Sequence, residues 1–217
     1  CWVQVNKLTN KMISKPIQSQ KTEPPKKVRI ISGIWRSRLL PVLDIRGLRP
    51  TTDRIRETLF NWLGQDLSGL RCLDLFAGTG ALGFEAASRG AKLVILLEKD
   101  KKAHANLNAN FALLQSSPAV GVVEILQRDS LEFLKQQADR SSNLIFIDPP
   151  FQDSSLLDRA VIEAGRVCDD ASGGGIYVEF PSTRPREEIE ALLPDWHCGK
   201  YLEAGQVKAC LFRGRRG

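Results

Sequence analysis

Asp148-Pro149-Pro150-Phe151 is the group of residues in this 217-residue chain best suited to chemistry. It follows Asn143-Leu-Ile-Phe-Ile147, a short apolar run that reads as a buried parallel strand. Two successive prolines stop a strand ladder and hold the backbone extended beyond it. One carboxylate, stiff main-chain carbonyls and an aromatic face are thereby presented at the carboxyl end of a strand, where open α/β sheets bind ligands. Such a group suits a flat ring with an exocyclic amine: the acceptors take the amine hydrogens while Phe151 covers the ring, a stacking contact of about 1–3 kcal/mol. An isolated Pro-rich turn after a strand reads equally well from these four residues alone.

A second group, Asp74-Leu-Phe76-Ala77-Gly78-Thr79-Gly80-Ala-Leu-Gly83, follows another apolar run and leads into a helical pattern. Its G-x-G-x-x-G spacing lets the backbone turn sharply and approach a ligand, as in nucleotide-binding turns. Glu98, fifteen residues after Gly83, closes the next apolar run beside Lys99 and can accept from the hydroxyls of a ribose. Together these point to an adenosine-containing cofactor without separating a dinucleotide from S-adenosylmethionine. Asp74 favours the second, because a carboxylate beside the turn repels a pyrophosphate and attracts a sulfonium or ammonium. Asp129, with Ser130, follows a third run and is placed to accept from an adenine amine.

The elements that must position these groups form a regular alternation. Strands are expected at 71–76, 92–98, 120–127, 143–148 and 175–180, with helices near 81–89, 101–114, 130–138 and 155–168. This pattern predicts an α/β fold with a doubly wound, largely parallel sheet. A helix near 185–193 and strands at 198–204 and 206–213, split only by Gly205, add an antiparallel hairpin at one edge. Gly173-Gly174-Gly175 reads as a flexible turn. Upstream, 28–33 and 34–40 read as two strands joined at Ser32-Gly33. Thr51 or Thr52 then caps a helix to about Leu63, with Ile55, Leu59, Trp62 and Leu63 on its packed face. Three parts result: a disordered or loosely attached lead-in over 1–27, a basic extension over 28–69, and a cofactor-binding domain over 70–217.

The net charge of +6 is unevenly spread. Residues 1–27 carry +5, residues 28–60 carry +4, and the remainder carries −3. A segregated basic arm suits a polyanionic partner. In 28–60 the positive charge is all arginine, whose planar fork grips phosphates and stacks on bases. No apolar run is long enough to span a bilayer. Five scattered cysteines without CxxC or zinc-ligand spacing fit reduced thiols in a cytoplasmic setting, and two distant histidines suggest no metal site.

Asp74–Gly83, Glu98, Asp129 and Asp148–Phe151 resemble the motifs of class I S-adenosylmethionine-dependent methyltransferases that modify exocyclic or amide nitrogens. Arg29-Ile-Ile-Ser-Gly33, Trp35-Arg36, Leu48-Arg-Pro-Thr-Thr-Asp53-Arg and Arg56-Glu-Thr-Leu-Phe-Asn-Trp62 narrow the match. They resemble the bacterial RsmD family, which methylates guanine N2 in 16S ribosomal RNA, and the similarity covers roughly 28–213. The resemblance implies a Rossmann-like fold, S-adenosyl-L-methionine as cofactor, and 16S RNA in the small ribosomal subunit or an assembly particle as partner. It also implies roles for single residues. Asp74, Phe76, Gly78 and Gly80 would frame the methionine moiety, Glu98 the ribose and Asp129 the adenine, with Ala77, Thr79, Lys99 and Ser130 also at the cofactor. Asp148, Pro149, Pro150 and Phe151 would hold the target base. Arg29, Arg36, Arg38, Arg49, Thr51, Arg54 and Arg56 would meet RNA. No metal is implied, and a monomer is the default expectation. The rival readings are a DNA adenine-N6 or cytosine-N4 methyltransferase, a protein-glutamine methyltransferase, an NAD-dependent oxidoreductase, and a non-catalytic ribosome-assembly factor. The first would normally carry a larger recognition segment, the second Asn before the prolines, and the third has no use for Asp74 or DPPF.

Overall fold

A computed structural model describes residues 27–43 and 53–215. Its elements are β1 (Lys27–Arg29), β2 (Leu39–Pro41), α1 (Asp53–Leu63), β3 (Arg71–Asp74), α2 (Ala81–Ser88), β4 (Leu93–Leu97), α3 (Lys101–Leu114), β5 (Val122–Leu126), α4 (Ser130–Lys135), β6 (Leu144–Ile147), α5 (Ser154–Val167), β7 (Gly175–Pro181), α6 (Arg186–Ala191), β8 (Trp196–Ala204) and β9 (Val207–Gly214). Seven strands form one sheet in the order β5-β4-β3-β6-β7-β9-β8. The first five are parallel, and β9 pairs antiparallel with both β7 and β8. The expected α/β sheet with an edge hairpin is therefore present.

The strand order reverses between β3 and β6: the chain winds outward through β4 and β5, then returns to the other side of β3. At such a switch point the flanking connections diverge and leave a crevice at the carboxyl ends of the strands. Asp74 ends β3, and Asp148 directly follows β6. The two chemistry-bearing sequence groups thus border the crevice from opposite sides.

Aspartates set the helix starts. Asp100 accepts from the amides of Lys102 and Ala103 to cap α3, Asp129 from those of Leu131 and Glu132 to cap α4, and Asp153 from that of Leu156 to cap α5. Each cap satisfies amides that have no partner inside the helix. Gly174 and Gly175 are tightly packed where flexibility was expected, whereas Gly173 (φ +89°) faces open space. A Cβ on Gly174 would lie 1.8 Å from the Asn143 carbonyl oxygen, and one on Gly175 would lie 2.4 Å from that of Phe212. The turn is glycine-rich because β7 enters the sheet between two backbones.

The basic extension shares the main core. Ile30, Trp35, Leu40, Ile55, Leu59 and Phe60 pack in one buried cluster with Phe84, Phe146 and Tyr177. β1 and β2 pair as a short antiparallel ribbon, with Val28 opposite Leu40. Residues 34–37 form a turn, whereas the sequence pattern predicts strand there. The Ile34 amide donates to the Ser88 carbonyl and the Trp35 amide to Ser88 Oγ, both at 2.9 Å. Amides that would have joined a ladder are instead held by the end of α2. Gly33 (φ +78°) makes that approach possible, since a Cβ there would sit 1.8 Å from the Ser88 oxygen.

Helix α1 also departs from expectation. Arg56 and Phe60 join Ile55 and Leu59 on its buried face. The predicted caps Thr51 and Thr52 lie outside the described residues, as do Arg49 and most of the Lys-rich lead-in.

Candidate active site

The glycine turn is held from below by two carboxylates. Asp74, buried at the end of β3, accepts from the Gly83 amide at 2.9 Å. Glu98, just past β4, accepts from the Gly78 amide at 3.1 Å and from the Asp100 amide at 2.8 Å. Gly80 (φ +85°) reverses the chain into α2, and a Cβ there would strike the Phe84 ring at 2.2 Å. Gly83 lets α2 approach β4: its Cβ would meet Leu96 at 2.6 Å and the Asp74 carboxylate at 3.1 Å. The residues between, Ala77 and Thr79, are buried.

Desolvation raises the Asp74 carboxyl, the Gly83 amide opposes it, and the nearby Asp148 and Glu98 carboxylates push it further, to about 7. A buried acid with two acidic neighbours is out of balance electrostatically. A cation placed among them would restore the balance, because it favours the charged form of each. The donor set therefore fits a sulfonium and an ammonium, and it opposes a pyrophosphate.

Beside the turn a cleft of about 270 Å³ brings together Phe76, Glu98, Lys99, Asp129 and Ser130, five of the residues expected to hold the cofactor. Leu75 and Leu97 supply apolar lining. Asp153, Ser155, Leu156 and Arg159, from the start of α5, complete it. These four escaped the sequence reading. The available signal was that α5 begins directly after Asp148–Phe151, so its first turn must border the same crevice.

Asp129 is more committed than expected. One oxygen caps α4 and the other accepts from Lys99 Nζ at 3.0 Å. Burial pulls its carboxyl upward but is outweighed by the Lys99 hydrogen bond and the α4 amides, so it stays below its ordinary value. The Lys99 side chain is 77% exposed and free to swing; an adenine amine would share or take over that oxygen. The Ser130 hydroxyl donates to the Leu75 carbonyl, which ties α4 to β3 rather than reaching into the cleft.

Asp148 and Phe151 lie on the face of the sheet covered by α1 and α2. Phe146, two residues earlier in β6, packs against Phe60 of α1 with ring centroids 6.1 Å apart, and Phe151 packs against the same cluster. Pro149 is buried and Pro150 exposed.

Arg29, Arg36, Arg38 and Arg54 are exposed, as a phosphate contact requires. Arg38 also donates to Ser116 Oγ at 3.1 Å. Arg56 is not available to RNA: it is 0% exposed, donates to the Arg29 carbonyl at 2.8 Å and pairs with Asp53 at 2.5 Å. Its partner on the core side is Glu85 of α2, also 0% exposed, at 3.8 Å. Glu85 further accepts from the amides of Ile31 and Ser32 and from Arg89. This ionic knot fastens the extension to the helix behind the glycine turn. Asn110 of α3 makes a second link, donating to the carbonyls of Pro41 and Thr79, both at 3.1 Å. The basic extension is thus joined both to the cofactor turn and, through α1, to the strand bearing Asp148.

Among the described residues no helix is long and apolar enough to cross a membrane, and no cluster of His, Cys, Asp and Glu could hold a metal ion. The thiols of Cys72, Cys168, Cys198 and Cys210 are free.

The family model described as "Conserved hypothetical protein 95" matches residues 28–213. Ribosomal RNA small subunit methyltransferase D of Escherichia coli strain K12 is 40% identical over 193 residues, covering 86% of this chain and 89% of that protein. Its counterpart in Haemophilus influenzae is 44% identical over 162 residues, covering 73% and 81%. The solved structure of the Escherichia coli protein named "Putative methyltransferase yhhF" superimposes with a TM-score of 0.72 at 38% identity, covering 87% of this chain and 98% of that one. With the switch-point carboxylates, the glycine turn and the fastened basic extension all present, the chain belongs to this family, that of the ribosomal RNA small subunit methyltransferases D.

Proposed function

We propose that this protein transfers a methyl group from S-adenosyl-L-methionine to the exocyclic N2 amine of a guanine in 16S ribosomal RNA. The observation that carries the reading is the placement of Asp74 and Asp148 on neighbouring strands flanking the switch point, beneath a helix that exposes Arg54. One carboxylate is suited to a cationic cofactor and the other to the amine that attacks it. Bound S-adenosylmethionine supplies an electrophilic methyl on a sulfonium.

The chain's own residues do the rest. Asp74, Gly78 and Gly80 frame the methionine end, and Glu98, Lys99, Asp129 and Ser130 border the adenosine. The amine of guanine is a weak nucleophile because its lone pair is delocalised into the ring. Asp148 and the Pro149 carbonyl, accepting its two hydrogens, draw the nitrogen towards a tetrahedral shape and aim the lone pair at the methyl. Phe151 stacks on the base and fixes its plane. Catalysis is then mainly positioning and electrostatics. Asp148 need not be a strong base, since the proton can leave after the methyl arrives. The target must be unstacked to enter, which favours a loop or unpaired guanine. Arg29, Arg36, Arg38 and Arg54 meet the RNA backbone, with Arg49 and Thr51 as further candidates, and the protein acts in the cytoplasm as a monomer.

The test is transfer of labelled methyl from S-adenosylmethionine to small-subunit particles, followed by digestion to nucleosides. The label should appear in N2-methylguanosine. Label in another nucleoside, or in protein, would overturn the assignment.

A further inference from the structure

Four acids lie on four adjacent strands of the sheet. Glu98 after β4, Asp148 after β6 and Glu179 within β7 stand level with one another, two residues beyond the level of Asp74 at the end of β3. Strand alternation puts all four on one face, because each is two residues beyond a side chain of the cluster beneath α1 and α2: Leu96, Cys72, Phe146 and Tyr177. The first three have roles in the reading above, and Glu179 has none.

Ile147 pairs with Val178, so the next residues, Asp148 and Glu179, stand side by side on strands about 4.8 Å apart. Glu179 is 2% exposed, and its Oε1 accepts from the Tyr177 hydroxyl at 2.8 Å. Tyr177 is itself fully buried and packs edge-on against Phe146, with centroids 6.4 Å apart at 73°. Its only hydroxyl proton is thus committed to orienting a carboxylate next to Asp148. A carboxylate oriented at this place is suited to a hydrogen-bond donor that arrives beside the amine gripped by Asp148.

Guanine brings such a donor. Its N1–H lies next to the N2 amine, whereas adenine and cytosine carry a ring-nitrogen lone pair beside their amines. Resting on the guanine-N2 reading, we propose that Glu179 is the specificity-determining acceptor for N1–H of the target guanine, held in position by Tyr177. A site built around a hydrogen bond rejects an analogue lacking the donor far more strongly than a hydrophobic pocket rejects a missing methylene.

The test uses reconstituted small-subunit particles in which the mapped target carries either guanosine or 2-aminopurine riboside, which keeps the C2 amine but has an unprotonated N1. The parent protein should prefer guanosine by about 100-fold or more in kcat/KM. Glu179→Gln, whose amide can donate to N1, should narrow the preference to about tenfold or less, with S-adenosylmethionine affinity within about threefold. An unchanged preference, or equal loss on both nucleosides, overturns the assignment. Should Glu179→Gln fail to fold, Tyr177→Phe serves: it keeps the carboxylate but frees its rotamer. It should raise KM for guanosine particles about fivefold with cofactor affinity unchanged, and an unaltered KM would refute the role. Absence of N2-methylguanosine from the parent reaction would instead refute the underlying guanine reading, and this assignment with it.

Discussion

Asp74→Asn should stabilise the empty protein while crippling its cofactor site. In the fold the Asp74 carboxyl is raised from 3.8 to about 7, with burial as the largest cause. The unfolded chain therefore releases this proton first, and the folded state loses stability as pH rises from about 4 to about 7. A shift of about three units at 1.36 kcal/mol each gives about 4 kcal/mol, fully expressed above pH ~7. Asparagine removes the titration but keeps an acceptor for the Gly83 amide. About half of that ceiling is the reasonable expectation, or roughly 2 kcal/mol, a rise of about 4–8 °C in Tm for a chain of this length. Urea unfolding of both proteins, free of cofactor, from about pH 5 to about pH 8.5 measures it. The advantage of the variant should grow with pH and level off above ~7, while S-adenosylmethionine binding falls at least about tenfold. A stability difference independent of pH, or one that shrinks as pH rises, would refute the electrostatic account of this residue.

Arg56 and Arg54, two residues apart on α1, should separate cleanly. Arg56→Ala leaves Glu85 buried with one cation fewer and should cost about 3–5 kcal/mol in urea unfolding. Arg54→Glu should leave stability within about 0.5 kcal/mol and weaken binding to small-subunit RNA in a filter-binding or anisotropy assay, with a flatter dependence on salt and unaltered cofactor affinity. Equal loss of RNA and cofactor binding would mean that Arg54 is structural. Gly80→Ala places a Cβ 2.2 Å from the Phe84 ring at a positive φ, and should destabilise by about 2 kcal/mol or more while weakening S-adenosylmethionine in calorimetry. A variant as stable as the parent would contradict the tight packing of the turn.

The α/β sheet and its helices were legible from the sequence because their signals are local. Helix α3 spans 101–114 as the pattern predicts, since Asp100 caps it and the chain itself carries the apolar spacing. The carboxylates at the strand ends were found the same way, each following an apolar run. The extension was harder to read because its conformation is set by residues from 29 to more than fifty positions away. Trp35 turns towards Ser88, and Arg56 towards Glu85, through contacts that no window around residues 30–60 contains. An arginine between Ile55 and Leu59 looks like a solvated charge until its buried partner is known. Gly174 and Gly175 misled for a similar reason, since the backbones they accommodate belong to the start of β6 and to β9. Glu179 passed unnoticed because a single acid inside an apolar strand gives no hint that its strand lies beside Asp148.

The proposed methyl transfer depends on Asp148 holding the amine that attacks the methyl. Its most direct test is single-turnover methyl transfer by Asp148→Ala on small-subunit particles, with S-adenosylmethionine binding measured on the same preparation. The rate should fall by about 10³-fold or more while the cofactor Kd moves by no more than about threefold. Transfer within about tenfold of the parent would show that the carboxylate behind the two prolines is not the group that grips the amine.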